Sequence, residues 1–428
     1  MSFQTAKQCM LYMFVVFALT TSAQTGQFQK DTTRLSIDSA EHLFLQNNLL
    51  LLAQKYNIDA QKAQIIQAKL YPNPNLNINR GFYNPTAKKI FAGGADGETA
   101  AGVSQLIILA GKRNKQVRIA ETNAKLAEYQ FYDLLRTLKY TLRTDFFSIY
   151  YLQQSAKVYD VEINSLQQVV NAFQQQAGKG YISEKEVVRI KAQLYSLQSE
   201  YNDLLNQIND TESELRLILQ IKGYYIDPIA NDSKLAETQP GQYSFSVLMD
   251  SAYKARTDLK IARANVDLSK QVYSLQKSIA VPDITLQAGY DEQGSYIKNF
   301  NSVGFGIDIP IFNRNQGNIK SAKSGIDITI ATQKSTEASV EEQVSRALLK
   351  AIDQDKLFRK VDPSFGKDFE RLMHEMVINY QRRNIGLLEF IDFYDAYKQN
   401  ILQVNAIKLN RVTAMEDLNF YTGTEFYN

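Results

Sequence analysis

Cysteine, histidine and tryptophan are rare or absent in this sequence of 428 residues. The single cysteine, Cys9, has no partner for an intrachain disulfide, and a zinc or iron–sulfur centre built on several cysteines is excluded. The two histidines, His42 and His374, are too few for a multi-histidine metal centre within one chain. Disulfide-stapled scaffolds and the common thiolate metal proteins are therefore ruled out.

Glycine and proline are also scarce, with 20 and 8 residues, so loop-rich, collagenous and low-complexity classes are excluded. The 48 basic and 45 acidic residues give a net charge of +3, which gives no indication of nucleic acid as a partner. The sequence has no Gly-x-x-x-x-Gly-Lys-Ser/Thr phosphate loop and no Gly-x-Ser-x-Gly nucleophile turn. We therefore expect neither enzymatic activity nor a cofactor.

The N-terminus has the pattern of a secretory signal peptide. Lys7 precedes the apolar run Met10–Leu19, and small residues lead to Ala23. The alternative, a membrane anchor, is disfavoured because the run is too short to span about 30 Å of hydrocarbon. Cys9 precedes the run, so it is not the lipidated cysteine that directly follows a lipoprotein signal. No later run of about 18 apolar residues occurs, so no transmembrane helix is predicted.

The rest of the chain is predicted to be a duplication. A helical pattern of apolar residues ends within Lys69–Ile78, and an alternation of apolar and polar residues begins there. The same change of pattern occurs within Ala280–Ala288. We divide the chain into a signal peptide (1–23), a first structural repeat (24–222), a linker (223–242) and a second structural repeat (243–428). In each repeat we expect a helix, two strands and a long α-hairpin. The first helix is predicted to begin near Ser36 and to stop before Pro72.

Very long helices are predicted to follow the strands. No proline or glycine occurs between Lys112 and Gln176, which allows one helix on the order of 100 Å long. The returning helix spaces its apolar residues by three and four, which is typical of a coiled-coil seam. The seam residues are Val187, Ile190, Leu194, Leu197, Tyr201, Leu204, Ile208, Leu215 and Ile218, with Phe390, Tyr394, Tyr397, Ile401 and Val404 in the second repeat. Short turns at Ala177–Gly180 and Arg383–Gly386 predict two antiparallel α-hairpins.

Four segments alternate apolar and polar residues and are predicted to be strands. They are Asn75–Tyr83, Thr99–Ile107, Ile284–Tyr290 and Ser302–Ile309. Each has about the length of a tilted strand that crosses a bilayer, with an apolar face for lipid and a polar face for water. The alternative is a soluble sheet buried on one face, which periodicity alone does not exclude. The unusual length of the flanking helices favours the membrane.

Four such strands are too few to close a barrel, and an open edge is not tolerated in lipid. We therefore expect an oligomer. Two copies would supply eight strands and three copies would supply twelve. Of these two numbers, twelve is the one that leaves a usable lumen. The predicted fold class is thus mainly α, with duplicated long antiparallel α-hairpins and a small β membrane part of four strands that contributes to an oligomeric β-barrel.

Over nearly the whole mature chain, from about Leu35 to Gly423, the sequence resembles TolC-type outer-membrane efflux proteins, and within them the CusC/CzcC-like branch. The segments that carry the resemblance are Gln67–Leu76 (QAKLYPNPNL), Gly111–Arg113 (GKR), Arg256–Leu259 (RTDL), Pro282–Asp283, Gly289–Tyr290, Ile309–Gly317 (IPIFNRNQG) and Tyr380–Glu389 (YQRRNIGLLE). Thr257 and Arg383 stand where the family often has proline and glycine, and no cysteine follows the signal for acylation.

The resemblance implies a homotrimer with a twelve-stranded outer-membrane β-barrel, which continues into a periplasmic tunnel of twelve helices. It also implies a role as the exit duct of a tripartite efflux pump, which passively conducts metal ions or small toxic compounds to the outside. The implied partners are a periplasmic adaptor (membrane fusion protein), an inner-membrane transporter of the RND type and outer-membrane lipid. The alternative from another class is a soluble periplasmic coiled-coil adaptor or structural protein.

The two hairpin tips carry the candidate functional residues. In a trimer, acids at the tips would form rings that attract cations and narrow the pore. The tip-gate candidates are Glu186, Glu389 and Asp392, of which Asp392 fits the resemblance best. Apolar residues at a turn indicate a partner surface, so the adaptor-docking candidates are Gly180, Tyr181, Ile182, Ser183, Asn384, Ile385, Gly386 and Leu387. The alternatives are solvated helix surface for the acids and packing between the tips for the apolar residues.

Two further features have a structural and a functional interpretation. Met373 and Met376 lie one turn apart, which suits thioether binding of copper(I), but packing in a helix–helix gap is the favoured interpretation. No metal site is therefore assigned. The basic pair Lys112 and Arg113 follows the second strand directly, either at the periplasmic lipid–water boundary or simply at a helix start.

Overall fold

The computed structural model describes residues 31–427 apart from Ser295, Pro363 and Arg383. The predicted signal peptide, with Cys9, lies outside the described residues, and so does Arg383 of the second tip. Among the residues described, no helix is long and apolar enough to cross a membrane.

The elements alternate between short strands and helices of very different length. Those before residue 220 are β1 (Asp31–Ser36), α1 (Ile37–Asn47), α2 (Leu49–Lys69), β2 (Asn75–Arg80), β3 (Tyr83–Asn84), β4 (Lys89–Ile90), β5 (Thr99–Ile107), α3 (Lys112–Gly178) and α4 (Glu184–Leu219). Those after it are β6 (Tyr224–Ile229), α5 (Asp232–Glu237), α6 (Phe245–Ala255), α7 (Thr257–Ile279), β7 (Ile284–Asp291), β8 (Phe300–Ile307), α8 (Gln316–Phe358), α9 (Phe365–Gln381) and α10 (Leu387–Thr422).

The first predicted helix is two helices that meet at Asn48. Ser36 caps α1 as expected, because its hydroxyl accepts a hydrogen bond from the Ser39 N–H. Asn48 has an extended backbone, and its side-chain oxygen accepts a hydrogen bond from the Leu51 N–H and so caps α2. Its amide nitrogen donates to the Ile218 carbonyl at 2.9 Å. This buried side chain thus ends one helix, starts the next and ties both to α4.

Strands β2, β5, β7 and β8 form one antiparallel sheet in that order. Val103 on β5 pairs with Ala288 on β7, which pairs with Val303 on β8, so the sheet joins the two halves of the chain. The apolar side chains of one sheet face are exposed in the single chain, and Val303 is 89% exposed. In the described residues, β2 and β8 are the edges of this sheet, and each pairs on one side only.

The helices that adjoin the sheet stand in the same order as its strands. Helix α2 packs on α3, α3 packs on α7, and α7 packs on α8. Helix α2 leads into β2 and α8 follows β8, so the two edges of the sheet continue into the two edges of the helical layer. One side of the chain is therefore formed by β2 with α2, and the opposite side by β8 with α8.

The core is a series of apolar clusters along the helices. One cluster joins α1, α3, α4 and β6, and its largest buried side chains include Phe44, Phe146 and Ile226. A second joins α6, α8 and α10 around Leu248, Val344 and Leu418. A third lies at the far end of the long helices. Because each cluster joins elements from different parts of the chain, no helix has to be stable alone.

The segment interpreted as a linker contains regular structure. Strand β6 pairs in parallel with β1, and Ile226 lies opposite Thr33 in the register. Helix α5 follows, and Arg411 of α10 holds the end of this segment, because its guanidinium donates to the Leu235 carbonyl at 2.6 Å. The same guanidinium donates to the Asp355 carboxylate at 2.7 Å. The division into two repeats with a linker stays a prediction, but the linker segment contains a paired strand and is held by Arg411.

The two α-hairpins differ in continuity. Helix α3 runs unbroken from Lys112 to Gly178, close to the predicted span. In the second half, α8 ends at Phe358 and α9 begins at Phe365, where the sequence analysis expected one long helix. Pro363 lies in this interval of the sequence, and a proline cannot donate the N–H that a continuing helix needs.

Candidate functional site: the hairpin tips

The first tip is a five-residue turn between α3 and α4. Gly180 has φ of +74°, a left-handed conformation that glycine adopts without strain. Its N–H donates to the Ala177 carbonyl, and the Tyr181 N–H donates to the Gln176 carbonyl, both at 2.9 Å. These bonds close the end of α3, and Ser183 then begins α4 in an extended conformation.

The second tip joins α9 to α10. The Asn384 N–H donates to the Asn379 carbonyl at 2.9 Å, and the Phe390 N–H donates to the Gly386 carbonyl at 3.0 Å. Gly386 precedes α10 in an extended conformation that any residue adopts, so its position requires no glycine. Both tips are therefore short turns closed by backbone hydrogen bonds.

The two tips share one apolar cluster, which we call the tip core. It contains Phe173 of α3, Ile190 of α4, Tyr380 of α9 and Phe390 of α10. The rings of Tyr380 and Phe390 are stacked with centroids 4.4 Å apart, and Phe173 meets Tyr380 edge-on at 4.9 Å. Aromatic contacts of this kind stabilise one specific packing arrangement, in addition to the effect of burying apolar surface. The two hairpins therefore close against each other at their ends.

The adaptor-docking candidates divide into two groups. Ile182, Ile385 and Leu387 are half-buried and pack against the tip core, as the alternative of local packing expects, and their docking role stays a prediction. Gly180, Tyr181, Ser183, Asn384 and Gly386 are exposed, and Tyr181 is 67% exposed. The structure adds Leu388 and Val188 as exposed apolar residues beside the tips. Sequence reasoning missed these two because periodicity alone does not distinguish an exposed apolar residue from a seam residue.

The tip-gate candidates Glu186, Glu389 and Asp392 are all exposed. Glu186 and Glu389 lie in the first turns of α4 and α10, where a negative charge stabilises the free N–H groups of a helix. Burial raises the pKa of the Tyr380 hydroxyl, and the charge of Glu186 raises it further. Glu186 of the first hairpin thus interacts electrostatically with Tyr380 of the second hairpin. Asp392 adds to the rise of the Asp395 pKa, whose largest cause is burial.

The methionine pair and the basic pair have structural contacts. Met373 is buried in the tip core, as the packing interpretation expects. Among residues 31–427, without the three gaps, no group of three or more His, Cys, Asp or Glu side chains is arranged to hold a metal ion. The Arg113 guanidinium lies 3.9 Å from the centre of the Tyr71 ring and donates to the Lys69 carbonyl at 3.2 Å. Arg113 therefore fastens the end of α2 at the level where sheet and helices meet.

At the other end of the molecule, polar residues line one face of the sheet. Asn75, Ser104 and Gln287 lie side by side across β2, β5 and β7 in the register. An apolar face opposite a polar face is the arrangement of strands between lipid and a water-filled lumen. A sheet with two such faces, joined to long paired helices, is consistent with one segment of a membrane channel.

Comparisons with known proteins agree with this architecture. The model of the outer membrane efflux protein family matches residues 41–219 and 248–357. The cobalt-zinc-cadmium resistance protein CzcC of Cupriavidus metallidurans is 23% identical over 291 residues, which span 67% of this chain and 66% of that protein. The structure of the Campylobacter jejuni outer membrane channel CmeC has a TM-score of 0.74 at 14% identity, and covers 92% of this chain and 87% of its own. The structure of CusC has a TM-score of 0.71 at 15% identity, with coverages of 94% and 95%.

The family match covers more than half of the chain, and the chain therefore belongs to the outer membrane efflux protein family. The predicted fold class, the outer-membrane location and the interpretation as an efflux channel are confirmed. The family match favours this interpretation over a soluble coiled-coil adaptor. Family members are channels rather than enzymes.

Proposed function

We propose that three copies of this chain form the exit duct of a tripartite efflux pump. The observation that carries the proposal is the common order of strands and helices. Each copy presents β2 with α2 on one side and β8 with α8 on the other, so neighbouring copies extend the sheet and the helical layer together. Three copies of a four-stranded sheet supply twelve strands, enough for a water-filled lumen.

Exposed apolar side chains on both sides support this assembly. On α2 they are Leu49, Leu50, Leu52, Tyr56 and Ile66. On α8 they are Ile328, Ile330, Leu349 and Leu357. Two exposed apolar helix faces are costly in water, and a neighbouring copy would bury both. The apolar sheet face, with Val303 and Phe305, would contact outer-membrane lipid.

The hairpin tips are proposed to be the entrance and the docking end. The exposed candidates Tyr181 and Ser183 of the first tip and Asn384 of the second are proposed to contact a periplasmic adaptor, which connects the duct to an inner-membrane transporter of the RND type. Glu186, Glu389 and Asp392 are proposed to form rings of negative charge that admit cations and narrow the entrance. Opening would be a movement of the α-hairpins against each other.

The proposed cargo is a metal cation. This proposal rests on the similarity to CzcC, whose name assigns it to cobalt, zinc and cadmium resistance. The acidic tip supports it, because negative rings favour cations. The second candidate cargo is a small toxic organic compound. The similarity to CmeC concerns the channel fold and does not distinguish between this cargo and a metal ion.

Assembly is tested by purifying the full-length protein from outer membranes in detergent and measuring its mass by native mass spectrometry. We expect a trimer, and a soluble monomer in the periplasmic fraction would contradict the proposal. Cargo is tested by deleting the gene and measuring resistance to copper, zinc, cobalt and organic drugs. Lower metal resistance is expected, whereas lower drug tolerance alone would contradict a metal cargo.

The gate is tested with Asp392→Asn in planar bilayers. We expect a higher conductance and a weaker preference for cations, because the ring loses its charges. Glu121→Gln is the matched control, since Glu121 is an exposed acid of α3 far from the tips. Unchanged conductance and ion preference in Asp392→Asn would contradict a gate at Asp392.

A further inference from the structure

A buried carboxyl group lies between the two hairpins, on the α3 side. Glu162 is only 2% exposed. In the described part of the chain, neither oxygen of its carboxylate has a hydrogen-bond partner. An ionised carboxylate without partners is very costly in such a place, whereas a protonated one costs much less. Glu162 is therefore a group whose charge state matters to the packing around it.

Helix α10 of the second hairpin packs directly on this position. The Tyr394 hydroxyl donates a hydrogen bond to the Glu162 carbonyl, and Tyr394 belongs to the tip core. The contact thus joins the backbone of α3 to a buried side chain of α10. The Glu162 carboxyl lies in the same interface, so its charge acts where the first hairpin meets the second.

The buried cation near Glu162 is already engaged. Lys398 of α10 is buried, and its Nζ donates to the Glu200 carboxylate of α4 at 2.7 Å. The same Nζ lies 3.8 Å from the Asp395 carboxylate. Glu200 also accepts a hydrogen bond from the Tyr159 hydroxyl, at 3.2 Å.

The groups that face Glu162 come from each neighbouring helix. Helix α3 contributes Tyr159, α4 contributes Glu200, and α10 contributes Tyr394, Asp395 and Lys398. Helix α9 adds Met373 and Tyr380 to the same cluster. Three carboxyl groups thus share one ammonium group. The pKa of Glu162 is raised to about 8, chiefly by burial; Lys398 opposes the rise, and Asp395 and Glu200 add to it.

We propose that Glu162 is a pH-sensitive catch, which holds the first hairpin packed on α10 while its carboxyl is protonated. Loss of the proton would add a buried negative charge beside the half-exposed carboxylates of Glu200 and Asp395, which already share one buried cation, and the interface would loosen. The sign follows from linkage. A carboxyl whose pKa is higher when packed than when exposed stabilises packing most below its ordinary value near 4.5, and the contribution is lost as the pH rises to about 8.

The catch lies about 24 Å from the end of α3 at Gly178, since sixteen residues separate the two positions along the helix. Its effect on conduction rests on the proposed function, in which the hairpins move to open the tip. In that setting a more acidic periplasm would hold the hairpins together, and a more alkaline one would release them. The packing of Glu162 itself does not depend on the transport role.

The test is hydrogen exchange of the full-length protein in detergent, corrected for the intrinsic pH dependence of exchange. In the wild type, protection of peptides from 159–166 and 390–402 should fall with pH, by at most roughly tenfold per unit between about pH 5 and pH 8. In Glu162→Gln the same peptides should lose this dependence. Glu184→Gln, which removes an exposed acid of the same hairpin, should keep the wild-type slope. Equal slopes in the wild type and Glu162→Gln would overturn the proposal.

Infrared difference spectroscopy gives a second, independent readout. A protonated-carboxyl band should be present at pH 7 in the wild type and weaker in Glu162→Gln, where Asp145, whose pKa burial raises to about 7, still contributes. Its absence from the wild type at pH 7 would overturn the catch even if the variant folded poorly. A failed catch would leave trimer mass and ion conduction unchanged, whereas a failed channel proposal would leave the exchange result standing. The two proposals therefore fail separately.

Discussion

Lys112 and Asp283 form an ion pair with 2.8 Å between Nζ and Oδ1, at the junction of the sheet and the long helices. Lys112 begins α3 in the first half, and Asp283 directly precedes β7 in the second half. The Asp283 carboxylate also accepts a hydrogen bond from the Leu109 N–H at 2.8 Å, and Lys112 donates to the Val281 carbonyl at 2.7 Å. The two basic residues that follow β5 therefore have different roles: Lys112 joins the two halves of the chain, and Arg113 stacks on Tyr71.

Lys112→Met should destabilise the folded chain by about 3 kcal/mol, because the mostly buried Asp283 charge would lose its partner. Denaturant unfolding in detergent, followed by circular dichroism, measures the effect. The control is Lys89→Met, which removes the exposed ion pair with Asp96 and should cost less than about 1 kcal/mol. Equal losses in the two variants would show that the Lys112 pair has no special structural role.

Ile190→Ala should destabilise the hairpin by about 3 kcal/mol, because it opens a cavity in the fully buried tip core. Val188→Ala lies two residues away on the exposed side of the same helix and should change stability by no more than about 0.5 kcal/mol. Thermal unfolding of the purified variants measures both changes. A similar cost at both positions would contradict the assignment of Ile190 to the seam.

Val303→Arg should impair insertion by about 2–4 kcal/mol, because it places a charge on the sheet face proposed to contact lipid. Ser302→Arg carries the same charge on the opposite face, toward the proposed lumen, and should insert almost normally. The amount of folded protein recovered from outer membranes compares the two. Equal recovery would indicate that the sheet faces are wrongly assigned.

Arg411→Met should release the segment from 232 to 240, because the buried guanidinium holds Asp355 and the Leu235 carbonyl. Its loss leaves Asp355 with the half-exposed Arg359, and we expect a cost of roughly 3 kcal/mol. Limited proteolysis should show new cleavage in this segment. Lys408→Met, which removes a half-exposed partner of Asp232, is the control and should leave the segment protected.

Much of the architecture follows from patterns within short stretches of sequence. Strand β5 has the predicted bounds, Thr99–Ile107, because alternation and flanking turn residues are local signals. Helix α3 extends close to its predicted span because no proline or glycine interrupts it. The seam residues Val187, Ile190, Leu194 and Leu197 are buried as the heptad spacing predicts.

Other features depend on partners that are distant in sequence. Strand β6 contains Asp227 and Pro228, which resemble a turn, and its parallel partner β1 lies almost 200 residues earlier. Glu162 has an ordinary helical context, and only the packing of α10 makes it a buried carboxyl. The docking candidates Ile182 and Ile385 proved half-buried because the two tips pack together, which no single hairpin sequence reveals.

The different identities of β2 and β8 have a consequence for symmetry. Contact between two β2 edges, which would pair a surface with itself, would leave both β8 edges unpaired. Only head-to-tail contact, β8 of one copy to β2 of the next, satisfies both, and such contacts end only when the ring closes. The number of copies in the ring is then set by the angle between neighbouring copies rather than by a self-complementary face. Mutations that alter the curvature of the sheet should therefore change the number of copies before they weaken the contact between neighbours.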